Sequence, residues 1–129
     1  MIKKIETPNA PLPKSSPHSQ AIIANGFVFT QGSIYLMPEG TLLEGSIEEQ
    51  IHQIMKNLKA ILDEAHVSFK DVVKSTIYLT DMSLYGKVNE VYGSYFSDPY
   101  PARETMCVTE LPLSAKIEIS MIAALPSNG

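Results

Sequence analysis

Arg103 follows Pro101-Ala102, so a backbone stiffened by proline delivers a guanidinium at the mouth of a strand. The planar arginine fork suits a carboxylate, which it can hold by two parallel hydrogen bonds. Glu118 lies between Ile117 and Ile119. On a strand it projects to the face opposite those two isoleucines, with Lys116 and Ser120 beside it, and a carboxylate so placed can orient water or move protons. Thr105 and Cys107 are two apart and share a strand face, which alone makes neither a nucleophile. Asn89 sits among helix residues, Gln31-Gly32 at a turn, His18 in a proline-rich segment and His52 beside an apolar helix stripe. Each also has a plain reading as a solvated polar residue, so residue types alone do not assemble them into a site.

Several classes of chemistry drop out. No G-x-S-x-G, P-loop or G-x-G-x-x-G is present, which removes the serine-hydrolase, nucleotide and dinucleotide motifs. Cys107 is the single cysteine and His18, His52 and His66 are the three histidines, with no spacing of a zinc site and no possible internal disulfide. Ten Lys and Arg against fourteen Asp and Glu give −4, whereas a nucleic-acid binder shows a basic face, so RNA or DNA is disfavoured as main partner. The longest apolar run, Met121 to Leu125, is far below the roughly 18 residues of a membrane span. The start has lysines without an apolar stretch behind them, unlike a secretory signal; a cytoplasmic protein is expected.

The elements that must position these residues follow from patterning. With 129 residues, one domain over 1–129 is expected. Pro8, Pro11, Pro13 and Pro17 exclude helix and central strand, so that segment should lie extended over the surface. Ala21 to Thr30 reads as two strands about an Asn25-Gly26 type I′ turn. Ser46-Ile47-Glu48-Glu49 fits a capping box and opens a helix whose Ile47, Ile51, Ile54, Leu58, Ile61, Leu62 and Ala65 form one apolar stripe. The stripe ends at His66, a residue type that tolerates left-handed backbone. Val72 to Leu79 reads as an interior strand. Asp81 or Ser83 caps a second helix, with Leu84, Val88, Val91, Tyr92 and Tyr95 inward. Two strands, Glu104 to Leu111 and Lys116 to Ala124, follow on either side of a turn at Pro112. The order ββ-α-β-α-ββ implies an α+β domain, a mixed sheet with both helices on one face. Charged residues make up 19%, below the usual value of about 25%; the other sheet face is therefore expected to be covered by association.

Phe27-Val28-Phe29-Thr30-Gln31-Gly32, Asn57-Leu58-Lys59-Ala60-Ile61-Leu62 and Asp71 to Met82 closely resemble the RidA/YjgF family, the reactive intermediate deaminases. Val88-Asn89-Glu90-Val91-Tyr92, Tyr95-Phe96, Pro101-Ala102-Arg103, Leu111-Pro112 and Lys116-Ile117-Glu118-Ile119 continue it in the family's order. The resemblance covers essentially the whole chain. It implies a chorismate-mutase-like (YjgF) α+β protomer, a homotrimer, and three ligand sites in the clefts between subunits. The implied activity is hydrolysis of 2-imino acids and their enamine tautomers, such as 2-aminoacrylate, to 2-oxo acids and ammonia, with no cofactor and no metal.

Residue by residue, the family's carboxylate-binding arginine matches Arg103, its acidic residue near the water matches Glu118, its helix asparagine Asn89, and the glycine whose backbone lines the site Gly32. Three positions depart from the commonest pattern. His18 stands for a tyrosine, Gln31 for the serine before the glycine, and Thr105 for the cysteine shortly after the arginine; His18 and Gln31 are expected to line the cleft and alter its substrate range. Two further classes stay open beside the enzyme: a non-catalytic binder or regulator of small metabolites such as 2-oxo acids, and an endoribonuclease or translation inhibitor, against which the −4 charge argues.

Overall fold

A computed structural model describes residues 1–126. The first helix, α1 (Ile47–Glu64), begins where the capping box places it. The Glu49 amide donates to Ser46 Oγ at 3.1 Å and the Ser46 amide donates to Glu49 Oε1 at 2.9 Å; these bonds hold the Glu49 carboxyl below its ordinary range. Beyond its last turn, the His66 amide donates to Asp63 O and the Val67 amide to Leu62 O, both at 3.0 Å. That pair is a Schellman ending, and His66 takes the left-handed conformation it needs at φ 60°.

Six strands form one sheet: β1 (Lys3–Ile5), β2 (Ala21–Ala24), β3 (Phe27–Thr30), β4 (Val72–Leu79), β5 (Ala102–Cys107) and β6 (Ile117–Ala124). Asn25 at φ 50° and Gly26 at φ 83° make the tight turn between β2 and β3. The spatial order is β1-β2-β3-β6-β4-β5. β6 enters between β3 and β4, antiparallel to both, while β5 lies parallel to β4. The connection from β4 to β5 runs through the second helix, α2 (Tyr85–Gly93), as a parallel pair requires. β1 was not expected from the sequence, being only three residues long and too short to alternate. The strand expected at Glu104 to Leu111 instead spans Ala102–Cys107, its ladder continuing to a last bond from the Val108 amide to Leu79 O. Asp81 caps not α2 itself but a 3-10 turn, Met82–Leu84, that leads into it.

Both helices lie on one sheet face. Ile51, Ile54, Leu58, Ile61 and Leu62 of α1 and Val88, Val91 and Tyr92 of α2 are buried with Val28, Ile77, Leu79, Ile117 and Ile119 of the strands. The opposite face carries Phe27, Phe29, Thr76, Tyr78, Glu118, Ile122 and Met106, by the pairings Phe29↔Ile122, Tyr78↔Glu118 and Tyr78↔Met106. Among the described residues nothing covers its Phe27, Phe29 and Met106, which remain exposed. The uncovered face expected from the topology is therefore present.

Candidate active site

The chain leaves β3 at Gln31-Gly32 and is clamped at once to β6. The Ser33 amide donates to Ile119 O at 2.8 Å and the Ile119 amide donates to Ser33 O at 3.0 Å. This brings Gly32 against the Glu118 side chain so closely that a Cβ at position 32 would overlap the carboxylate, 2.7 Å from its Cδ. Only glycine leaves Glu118 in place. Glu118 is half-buried, and burial raises its carboxyl above the ordinary carboxylate value. Among the described residues no side chain makes an ion pair or hydrogen bond to it. A carboxylate held out of water without a partner is suited to exchanging protons with a bound molecule.

Around Glu118 lies a cavity of about 590 Å³ whose wall includes Leu12, His18, Gln31, Gly32 and Leu113. Two buried amides hold its walls. Gln20 accepts from the Thr7 amide at 2.7 Å and donates to Thr7 O at 3.1 Å and Pro11 O at 2.8 Å, tying the proline-rich segment to the sheet. Asn57 of α1 donates to Leu36 O at 2.7 Å and accepts from Gln53 at 2.9 Å, which fixes the loop after Gly32. At the mouth, His18 Nε2 meets Gln31 Oε1 at 2.9 Å and His18 Nδ1 meets Ser16 Oγ at 2.8 Å. The Gln31 amide oxygen can only accept, so it fixes a proton on Nε2. On the rim, Leu113 and Ser114 hold positive φ of 57° and 60°, a conformation that costs energy in non-glycine residues and gathers at functional sites.

Arg103 belongs to a second cluster. Its guanidinium carbon lies 5.6 Å from the ring centre of Tyr85 and 5.4 Å from that of Tyr92, a double cation–π contact. Nη2 donates to the Tyr85 hydroxyl at 3.2 Å. The buried Tyr92 hydroxyl donates to Ser75 Oγ at 2.9 Å, and burial raises its phenol above the ordinary value. Tyr85, Asn89 and Tyr92 recur at four and three residues, so α2 presents all three along one side. Asn89 Oδ1 and Thr105 Oγ1 are buried without a hydrogen-bond partner. Orphaned polar atoms of this kind are rare and costly, and these two occur on β5, which carries Arg103, and on α2, whose Tyr85 and Tyr92 flank its guanidinium.

The sequence-derived residues thus fall into two sets: His18, Gln31, Gly32 and Glu118 at the cavity, and Arg103, Asn89 and Thr105 on the helix side. Strand parity keeps the sets apart within one chain. Ser75 pairs with both Arg103 and Met121, placing those three on one face, and Glu118 is three residues from Met121 and so on the other. A shared hollow holding Arg103 and Glu118 is not formed by a single chain. Sequence reasoning missed Tyr85 and Tyr92 as the seat of Arg103, though their helical spacing with Asn89 was a usable signal. It also missed Gln20 and Asn57, whose neighbouring sequence does not reveal their burial. His52 is exposed, as expected, and in addition meets the Tyr95 hydroxyl at 2.6 Å.

The chain belongs to the Endoribonuclease L-PSP family, also known as the YjgF/RidA family, whose model matches residues 7–125. It is similar to a RutC family protein of Aquifex aeolicus, 47% identical over 125 residues that make up 95% of this chain and 98% of that protein. It is 47% identical over 110 residues to Reactive Intermediate Deaminase A, chloroplastic, of Arabidopsis thaliana, covering 84% of this chain and 59% of that protein. The crystal structure of Escherichia coli TdcF with bound serine matches at a TM-score of 0.88 with 34% identity, over 96% of this chain and 99% of that one.

Proposed function

On the premise of that membership, we propose that this chain, as one domain over residues 1–129, is a cytoplasmic homotrimeric hydrolase. It converts 2-imino acids and their enamine tautomers, such as 2-iminopropanoate and 2-iminobutanoate, to 2-oxo acids and ammonia, without a cofactor. The observation that carries the reading is Glu118, an unpartnered, half-buried carboxylate pressed against Gly32 in a cavity large enough for a small acid.

An imine carbon is already electrophilic, so the reaction asks for a held substrate and a positioned water rather than a covalent nucleophile. Arg103 grips the substrate carboxylate with two N–H groups; the unpartnered Thr105 hydroxyl donates to the same carboxylate, and Asn89 Oδ1, which only accepts, takes an N–H of the substrate. Glu118 accepts a proton from the water as its oxygen bonds to the imine carbon, giving a carbinolamine. The imine enters protonated, so the carbinolamine nitrogen is NH2. The protonated Glu118 gives its proton to that nitrogen, and as the C–N bond breaks and ammonia leaves, Glu118 takes the hydroxyl proton so that C=O forms, then passes it to the departing ammonia. In a ring of three, the Arg103 cluster of one subunit meets the Glu118 cavity of the next, which joins the two sets that one chain holds apart. The serine bound to the E. coli relative carries the carboxylate that such a clamp would hold.

The test is to generate 2-iminobutanoate in solution with an amino-acid oxidase and follow its lifetime with wild type, Arg103→Ala and Gln31→Ser. Wild type shortens the lifetime below spontaneous hydrolysis and Arg103→Ala does not. The His18–Gln31 bond across the cavity mouth favours one other reading, a non-catalytic binder of 2-oxo acids. Equal imine decay with and without protein, together with measurable 2-oxobutanoate binding, selects that reading instead.

Gly32→Ala separates position from composition. The added Cβ meets the far end of a flexible side chain, so the protein folds but Glu118 is turned aside. Turnover is expected to fall roughly 10²-fold, the scale of a misplacement of about 1 Å, with near-normal thermal unfolding. Full activity in Gly32→Ala would show that the position of Glu118 against residue 32 is immaterial.

A further inference from the structure

Two tyrosines flank the Arg103 guanidinium at nearly equal distance, yet their hydroxyl groups are committed differently. Tyr92 is buried and donates its proton to Ser75 Oγ; its role is to seat the arginine. Tyr85 is exposed and its oxygen accepts from Arg103 Nη2. A phenol has one proton and two lone pairs, and a guanidinium offers no lone pair in return, so the Tyr85 proton cannot be given to Arg103. Among the described residues no other hydrogen bond involves Tyr85. The structure therefore holds a free O–H donor beside the arginine fork, fixed in orientation by ring stacking and by Nη2.

We propose that the Tyr85 hydroxyl is a substrate-reading donor: it gives its proton to the carboxylate oxygen nearest Nη2, so that the acid group gains a donor beyond the two N–H groups of the arginine fork. The ligand class is an anionic carboxylate, and the proposal rests on the reading of Arg103 as the carboxylate clamp. It assigns Tyr85 to binding and not to proton transfer, because the hydroxyl sits on the Arg103 side and Glu118 supplies the acid–base group. The two lone pairs on each carboxylate oxygen allow Arg103 and Tyr85 to be satisfied at once. The contact exists in ground and transition state alike, which makes it uniform binding.

Tyr85→Phe tests this directly, because it keeps the ring that stacks on Arg103 and removes only the hydroxyl. In the full-length protein, calorimetric affinity for 2-oxobutanoate is expected to weaken about three- to tenfold, the scale of one hydrogen bond. KM for 2-iminobutanoate rises by a similar factor while kcat stays near wild type, and the thermal midpoint does not move. A purely structural tyrosine would lower the midpoint or kcat and leave that split absent. Affinity and KM within twofold of wild type overturn the proposal, as does a wild type that binds no 2-oxobutanoate. Where wild type binds the oxo acid but leaves imine decay unchanged, the hydrolase reading falls and the affinity ratio alone decides Tyr85.

Discussion

Glu118→Gln is expected to lose about 10²–10⁴-fold in turnover, the scale of a general acid–base group, and at the same time to resist heat better near neutral pH. The second effect follows from burial. Glu118 is half removed from water with no cation beside it, and its carboxyl is raised above the ordinary 4.5. Between the unfolded and the raised folded value the native state holds a proton that the unfolded chain has released, so stability falls as pH climbs through that window. Below the unfolded value both states are protonated and the penalty vanishes; above the folded value it is complete. Glutamine cannot ionise and escapes it. Thermal unfolding across pH should therefore show the variant above wild type at neutral pH and the two converging in acid. A variant less stable than wild type throughout would mean that Glu118 makes favourable contacts absent from this geometry.

Two inactive chains should restore each other. Arg103→Ala retains Glu118, and Glu118→Gln retains Arg103. If each site draws Arg103 from one subunit and Glu118 from its neighbour, unfolding and refolding an equal mixture gives about a quarter of the sites both groups intact, by random assembly of a cyclic oligomer. Imine hydrolysis should rise from near background to about a quarter of the wild-type rate. Refolding each variant alone is the control. Persistent inactivity of a mixture shown to contain hybrid assemblies would place both groups in one chain's site and contradict the parity of the sheet. The experiment reads the seam itself, where a single substitution reads only one of its sides.

Much of the scaffold was legible because local chemistry decides it. Ser46 and Glu49 announce the start of α1, His66 its end, and Asn25-Gly26 a turn, each within a few residues of sequence. Sheet order was not legible: nothing near Ile117–Ala124 says that this strand inserts between β3 and β4, since that pairing is settled by packing across the chain. The candidate residues were named from types and family resemblance, yet their division between two faces depends on which residue of β4 opposes Arg103 and which opposes β6. Register of that kind is a long-range property. Tyr85 escaped notice for a related reason: its partner Arg103 lies eighteen residues away and meets it only once α2 has crossed over the sheet.

The exposed Phe27, Phe29 and Met106 bear on how activity depends on amount. In the proposed trimer another copy covers this surface, and association obeys mass action. Dilution then acts as an inhibitor: below the dissociation constant of the assembly, specific activity per milligram should decline as the protein is thinned, although no inhibitor has been added and no bond has been broken.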